Sequence, residues 1–193
     1  MINLFSKNRA PLAILAICLA VMLSGCNGGG AAQAPSGSGE GDTLEGATDA
    51  LLSDIVKAAD GQLPESSRMG ASSERAIEAD ESQYMLGLST DDFGKYVTEA
   101  SASTGMLSTQ AHEIALVKCK DAAAAGEVKK LVANGFDPGK WICVRPEKAL
   151  VADSGSYVLL AVSNSAFADA AAKSFAEAAK DNVGEVVTFY DGE

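Results

Sequence analysis

The sequence predicts an α+β fold: an antiparallel sheet in the order strand, strand, helix, strand, strand, helix, with its helices on one face and a short helix in front. Three observations predict it. Apolar runs of strand length stand at Glu113–Lys120, Lys148–Asp153 and Tyr157–Ser163. The last two are joined through Ser154-Gly155, a pair suited to a tight hairpin turn. Segments with apolar residues at helical spacing follow both Lys120 and Ser163, each after a residue able to cap a helix. Paired strands alternating with helices pack as a sheet under a helical layer.

Taken in order, Thr48–Gly61 reads as the leading helix. Leu51, Leu52, Ile55, Val56 and Ala59 share a face there, and Gly61 is placed to end it. Residues 62–82 are polar and acidic, with Glu74, Glu78, Asp80 and Glu81, and read as a loop or frayed helix. Ser89 or Thr90 caps a short turn through Asp91, Asp92 and Phe93, whose acids suit the positive end of a helix. Tyr96–Ser103 is the first expected strand, and Glu113–Lys120, with Ile114-Ala115-Leu116-Val117, the second.

Asp121 then caps a helix with Ala124, Val128, Leu131 and Val132 on one face, which Asn134-Gly135 terminates. After the hairpin strands, Ser165 is the expected cap of a helix carrying Phe167, Ala171, Phe175 and Ala178. Val183–Tyr190 alternates well enough for an added edge strand, and equally fits a loosely held tail.

Ahead of this domain lies a leader. Lys7 and Arg9 precede an apolar run from Pro11 to Leu23, and the small residues Ser24 and Gly25 close it. The run is short for a membrane span. Leu23-Ser24-Gly25-Cys26 resembles the lipobox of bacterial lipoproteins. That resemblance implies a diacylglyceryl group on the Cys26 sulfur and cleavage on its N-terminal side, with acyl chains anchoring the chain at the membrane. The expected organisation is a signal peptide over residues 1–25, lipidated Cys26 and a Gly-, Ser- and Ala-rich linker over 26–45, and a single domain over 46–193. The expected location is the extracytoplasmic face of the cell membrane.

The formal charge is −11, and it becomes −13 once Lys7 and Arg9 leave with the leader. A chain this acidic repels nucleic acid and anionic lipid, so nucleic acid is excluded as a partner. The acid is uneven: residues 40–95 hold 13 Asp and Glu against 4 Lys and Arg, while residues 96–193 hold 13 against 9. The first stretch reads as solvated surface, the second as the packed part.

No constellation of catalytic residues emerges. His112 is the only histidine, and although Glu113 follows it, neighbours on a strand point to opposite faces. One histidine with Cys119 and Cys143 supports no four-ligand zinc site, and the acidic stretch lacks calcium-loop spacing, so no metal or cofactor is expected. Gly37, Gly39 and Gly41 follow no strand and precede no P-loop lysine. The serines lie in no nucleophile-elbow pattern. Cys119 and Cys143 are a candidate disulfide in an extracytoplasmic protein; alternatively both are small buried hydrophobes. Trp141 and Tyr157 are candidates to line a ligand groove, and more ordinarily belong to the core.

The order of Leu63-Pro64, Gly87-Leu88-Ser89 before Asp92-Phe93, His112-Glu113-Ile114-Ala115-Leu116-Val117-Lys118, and Tyr157-Val158-Leu159-Leu160-Ala161-Val162-Ser163 carries a resemblance. From about Leu51 to Ala179 the chain resembles the lipoprotein family of Gram-positive bacteria known as domain of unknown function 4358. It departs in a longer acidic stretch after Leu63-Pro64 and a shorter link after Asn134-Gly135. The family brings no established activity, so no catalytic residue carries over. The functional expectation is a membrane-tethered binding or accessory module engaging an extracytoplasmic protein or envelope component. The alternatives are a cell-envelope hydrolase working with carboxylates, and a spacer that binds nothing.

Overall fold

A computed structural model describes residues 44–106 and 109–192; the leader, Cys26 and most of the expected linker lie outside the described residues. The fold is α+β, with one six-stranded antiparallel sheet in the order β1-β2-β3-β5-β4-β6. The elements are α1 (Thr48–Gln62), β1 (Ser72–Ala76), α2 (Ser82–Leu86), α3 (Thr90–Tyr96), β2 (Val97–Gly105), β3 (Glu113–Cys119), α4 (Ala122–Gly135), β4 (Lys148–Ser154), β5 (Tyr157–Ser163), α5 (Ser165–Ala178) and β6 (Val187–Asp191). Leu44 is buried against the α1 side of the sheet.

Helices cover both faces of the sheet, which corrects the expectation of a single helical layer. Ile114, Leu116, Leu150, Leu159 and Ala161 pack against α1 and α5. The alternate residues Ala115, Val117, Val151, Val158 and Leu160 pack against α4 on the other side. Connectivity explains the arrangement. α4 joins β3 to β4 across β5, and α5 joins β5 to β6 across β4. Both crossovers step the same way along the sheet, but β3 and β5 run in opposite directions. Crossovers of one hand then place their helices on opposite faces. Strands buried on both sides need no polar alternation, hence the continuous apolar runs of β3 and β5.

Three caps hold helix starts. Ser89 Oγ accepts from the Asp92 amide at 3.1 Å, Asp121 Oδ1 from that of Ala124 at 2.7 Å, and Asn164 Oδ1 from that of Phe167 at 2.8 Å. Asn164, not the expected Ser165, is the α5 cap, because the backbone turns extended at Asn164 and Ser165 is already helical. The two-residue hairpin loop is Gly155-Ser156, one position beyond the expected pair, since Ser154 still pairs with Tyr157. Gly155 takes φ 53°, the left-handed value that the first loop position of such a turn requires.

Residues 62–82 differ from the expected loop. They contain β1, an edge strand whose residues are mostly exposed and which pairs with β2 from Ser72↔Gly105 to Ala76↔Ser101. At the opposite edge Val187–Asp191 forms β6 against β4, resolving the strand-or-tail alternative in favour of the strand.

One contact between main chains sets how the helices at the α4 face meet. Gly87 ends α2 with φ 72°, and a Cβ placed there would lie 2.2 Å from the Phe136 nitrogen. A Cβ on Gly135 would lie 2.3 Å from the Gly87 carbonyl oxygen. The end of α4 and the end of α2 thus touch backbone to backbone.

Candidate cation site at Glu113 and Lys140

Glu113 opens β3 on the α4 face, in register between Thr104 and Val162. Lys140 comes from the segment linking α4 to β4. That segment turns at Asp137, whose Oδ1 accepts from the Gly139 amide at 2.7 Å and whose carbonyl accepts from the Lys140 amide at 3.3 Å. The turn sends the lysine inward. Its Nζ donates to Glu113 Oε2 at 2.7 Å, to the Tyr84 carbonyl at 2.9 Å and to the Met85 carbonyl at 3.4 Å. The two side chains are only 4% and 2% exposed.

Three aromatic rings complete the enclosure. Nζ lies 4.7 Å from the Tyr84 ring centroid, 4.5 Å from that of Phe136 and 4.9 Å from that of Trp141. The negative faces of such rings attract a cation, more strongly as water is excluded. Phe136 is itself braced by Trp141 at 6.3 Å and by Phe189 at 6.0 Å between ring centroids. On the outside, Tyr84 is 60% and Ile142 is 98% exposed.

Burial pulls both ionised groups toward neutrality. It raises the Glu113 carboxyl to about 7, against the opposing pull of Lys140 and, more weakly, of Arg75. It lowers the Lys140 ammonium, against the stabilising charge of Glu113. Glu113 Oε1 is buried and has no hydrogen-bond partner among the described residues.

The residue before Glu113 faces the other way. His112 Nδ1 lies 3.0 Å from Ser163 Oγ, and the ring stands edge-on to Phe167 at 4.9 Å. With burial alone acting on it, the imidazole titrates only at about 4. A serine beside a histidine has the makings of a nucleophile and its base. Here, however, both are buried, and Nε2, which an orienting carboxylate would engage in such a triad, has no partner among the described residues. The pair is a packing contact of the α5 face.

Glu113 and His112 therefore diverge, in line with their adjacency on a strand. Tyr157 belongs to the core, its hydroxyl donating to the Gly46 carbonyl at 2.8 Å. Trp141 lies half-buried at the wall of the Lys140 box. Cys119 and Cys143 are free thiols, the first buried and the second exposed. Burial, then the charge of Asp121, raises Cys119 to about 12. The exposure of Cys143 contradicts the reading in which both are buried hydrophobes, because it lies on the outer side of the link after α4. Among the described residues no group of three potential metal ligands occurs, and no helix is long and apolar enough to cross a membrane.

A shallow groove of about 240 Å³ lies between α1 and α5, lined by Leu51, Ile55 and Ala58 and edged by Asp54 and Glu177. It is smaller than pockets that enclose drug-sized ligands, and its one buried polar side chain, Ser174, already accepts from Gln62 Nε2 at 2.9 Å. Sequence reasoning missed Lys140, Tyr84 and Phe136. The available signal was a lone lysine flanked by aromatic residues in Phe136-Asp137-Pro138-Gly139-Lys140-Trp141, together with a glutamate opening an otherwise apolar strand. Comparison with protein-family models, with curated proteins and with solved structures finds no match.

Proposed function

We propose that this chain is a lipid-anchored binding module on the extracytoplasmic face of a bacterial membrane, held there through diacylglyceryl on Cys26, and that it engages a basic protein or envelope partner. The binding reading is carried by two exposed apolar side chains: Tyr84, whose ring lies over the ammonium of the buried Lys140–Glu113 pair, and Ile142, which follows Lys140 and Trp141 in the chain. Exposed aromatic and branched side chains gathered beside a closed polar site are the composition of a contact surface. The charge of the chain favours a basic counterpart, with association that weakens as salt rises.

The anchoring reading rests on the lipobox-like Leu23-Ser24-Gly25-Cys26 behind a basic and then apolar leader. Confinement to a thin layer at the membrane raises the effective concentration of partners held in the same layer, so a weak interface suffices. The test is crosslinking in intact cells with the native chain and a Cys26→Ala form. The native chain should be acylated and capture a specific partner. The substituted chain should be unacylated, and released or left unprocessed. Acylation that survives Cys26→Ala would remove the anchor. Turnover of a substrate by the purified protein, with no partner captured, would replace the binding module by an enzyme.

A further inference from the structure

The Lys140 box has the parts of a receptor for a cationic side chain, and the chain's own lysine fills it. One carboxylate oxygen and two backbone carbonyls accept from the ammonium, while three ring faces surround it. Most of this receptor is built outside the segment that carries the lysine. Glu113 belongs to β3, Tyr84 and Met85 to α2, and Phe136 follows the last turn of α4. Only Trp141 travels with Lys140. Between Asp137 and Arg145, hydrogen bonds from this segment into the rest of the fold run through Lys140 among the described residues. Ile142 and Cys143 in the same segment are exposed.

A second observation points to a ligand other than Lys140. Glu113 Oε1 is buried and has no partner among the described residues, although its carboxylate is aimed into the box. A single ammonium leaves that oxygen unused. A cationic side chain that reaches both oxygens would satisfy it, as a guanidinium fork does in a two-point contact.

We propose that Glu113, Tyr84, Phe136 and Trp141 form a recognition site for a lysine or arginine side chain of a basic partner, and that Lys140 closes this site in the free protein. The inference rests on the reading of a basic partner given above and places its contact. Binding lifts the Lys140 segment, the incoming cation takes over Glu113 and the rings, and exposed Tyr84 and Ile142 lie at the rim where partner backbone would run. The cost of displacing Lys140 lowers the apparent affinity of the closed form.

The experiment uses the full chain, with Trp141, its only tryptophan, as fluorescent reporter, and compares wild type, Lys140→Ala and Lys140→Ala/Glu113→Gln. Tetralysine and tetraarginine are the probes. Removing the internal competitor should tighten binding of at least one probe by roughly tenfold, and the double variant should lose that gain. A larger gain for tetraarginine identifies the two-oxygen contact, and a larger gain for tetralysine identifies an ammonium site. In the Lys140→Ala chain, n-butylammonium or n-butylguanidinium should restore thermal stability and Trp141 emission where n-butanol does not. If this variant does not fold alone, its refolding yield with each additive reads the same difference. Equal binding of the peptides by all three chains would overturn the box while leaving attraction between an acidic surface and a basic partner intact. No binding by any chain would overturn both. Rescue by butanol as good as by the cations would reduce the site to an apolar cavity.

Discussion

His112 and Glu113 are neighbours in the chain, yet they show two ways of keeping a titratable side chain inside one sheet. On the α5 face, His112 meets a hydroxyl and an aromatic ring but no counter-charge, and burial strips its proton, taking it down to about 4. On the α4 face, Glu113 meets the Lys140 ammonium, and burial still raises it to about 7. The difference lies in what happens when one partner is lost. An uncharged contact forfeits packing and a hydrogen bond, whereas a broken buried ion pair strands a charge away from water.

The largest effect should come from stranding that charge. Lys140→Ala is expected to cost about 3–5 kcal/mol in denaturant unfolding, while Glu113→Leu/Lys140→Met, which removes both charges, should be near neutral or stabilising. A double variant as unstable as the single one would show that the lysine matters through packing and not through charge. Ser163→Ala on the opposite face removes a hydroxyl that meets His112 Nδ1 and donates weakly to Met69 Sδ, and should cost about 1 kcal/mol.

The comparison sharpens with pH, because the two shifts have opposite signs. Glu113 is raised from 4.5 to about 7, so its contribution to stability is fully present below about pH 4.5 and is lost as pH rises through 7. His112 is lowered from 6.5 to about 4, so its contribution is present above about pH 6.5 and is lost as pH falls through 4. Between pH 4.5 and 6.5 the two slopes oppose, each limited to roughly 1.4 kcal/mol per pH unit. Glu113→Gln should remove the fall on the alkaline side, and His112→Phe the fall on the acid side. Stability profiles that keep their wild-type slopes in both variants would refute the assignment.

The smallest expected effect concerns the thiols. Exposed Cys143 should react with maleimide in the folded protein, whereas buried Cys119 should react only on unfolding, and Cys143→Ser should leave stability within about 0.5 kcal/mol. A mass two protons short in protein purified without reductant would show instead that the two are bonded.

What could be read from the sequence was what local pattern decides. β3 and β5 announce themselves as apolar runs, and the Ser89 and Asp121 caps stand where capping chemistry puts them. The second helical layer was also written there, since Ile114-Ala115-Leu116-Val117 is apolar on both alternating sets and a strand of that kind needs cover on two sides. β1 was not legible. Ser72-Ser73-Glu74-Arg75-Ala76 shows no apolar alternation and owes its conformation to pairing with β2. The cation box was not legible for a related reason: it gathers Tyr84, Glu113, Phe136 and Lys140 from separate elements, and no periodicity links them.

The meeting of Gly87 with Gly135 has its own consequence for how the chain tolerates change. Gly135 lies at the surface with no unusual φ, so a survey guided by exposure or backbone angles would pass it as replaceable. Its limit is set by someone else's carbonyl, 2.3 Å from where its first side-chain carbon would sit. Any residue there must push α2 away, and α2 carries the Tyr84 and Met85 carbonyls that grip Lys140. In a saturation library, Gly135 should therefore score with the binding residues although it touches no bound group, and mutational sensitivity at this position would trace the spacing of two helix ends.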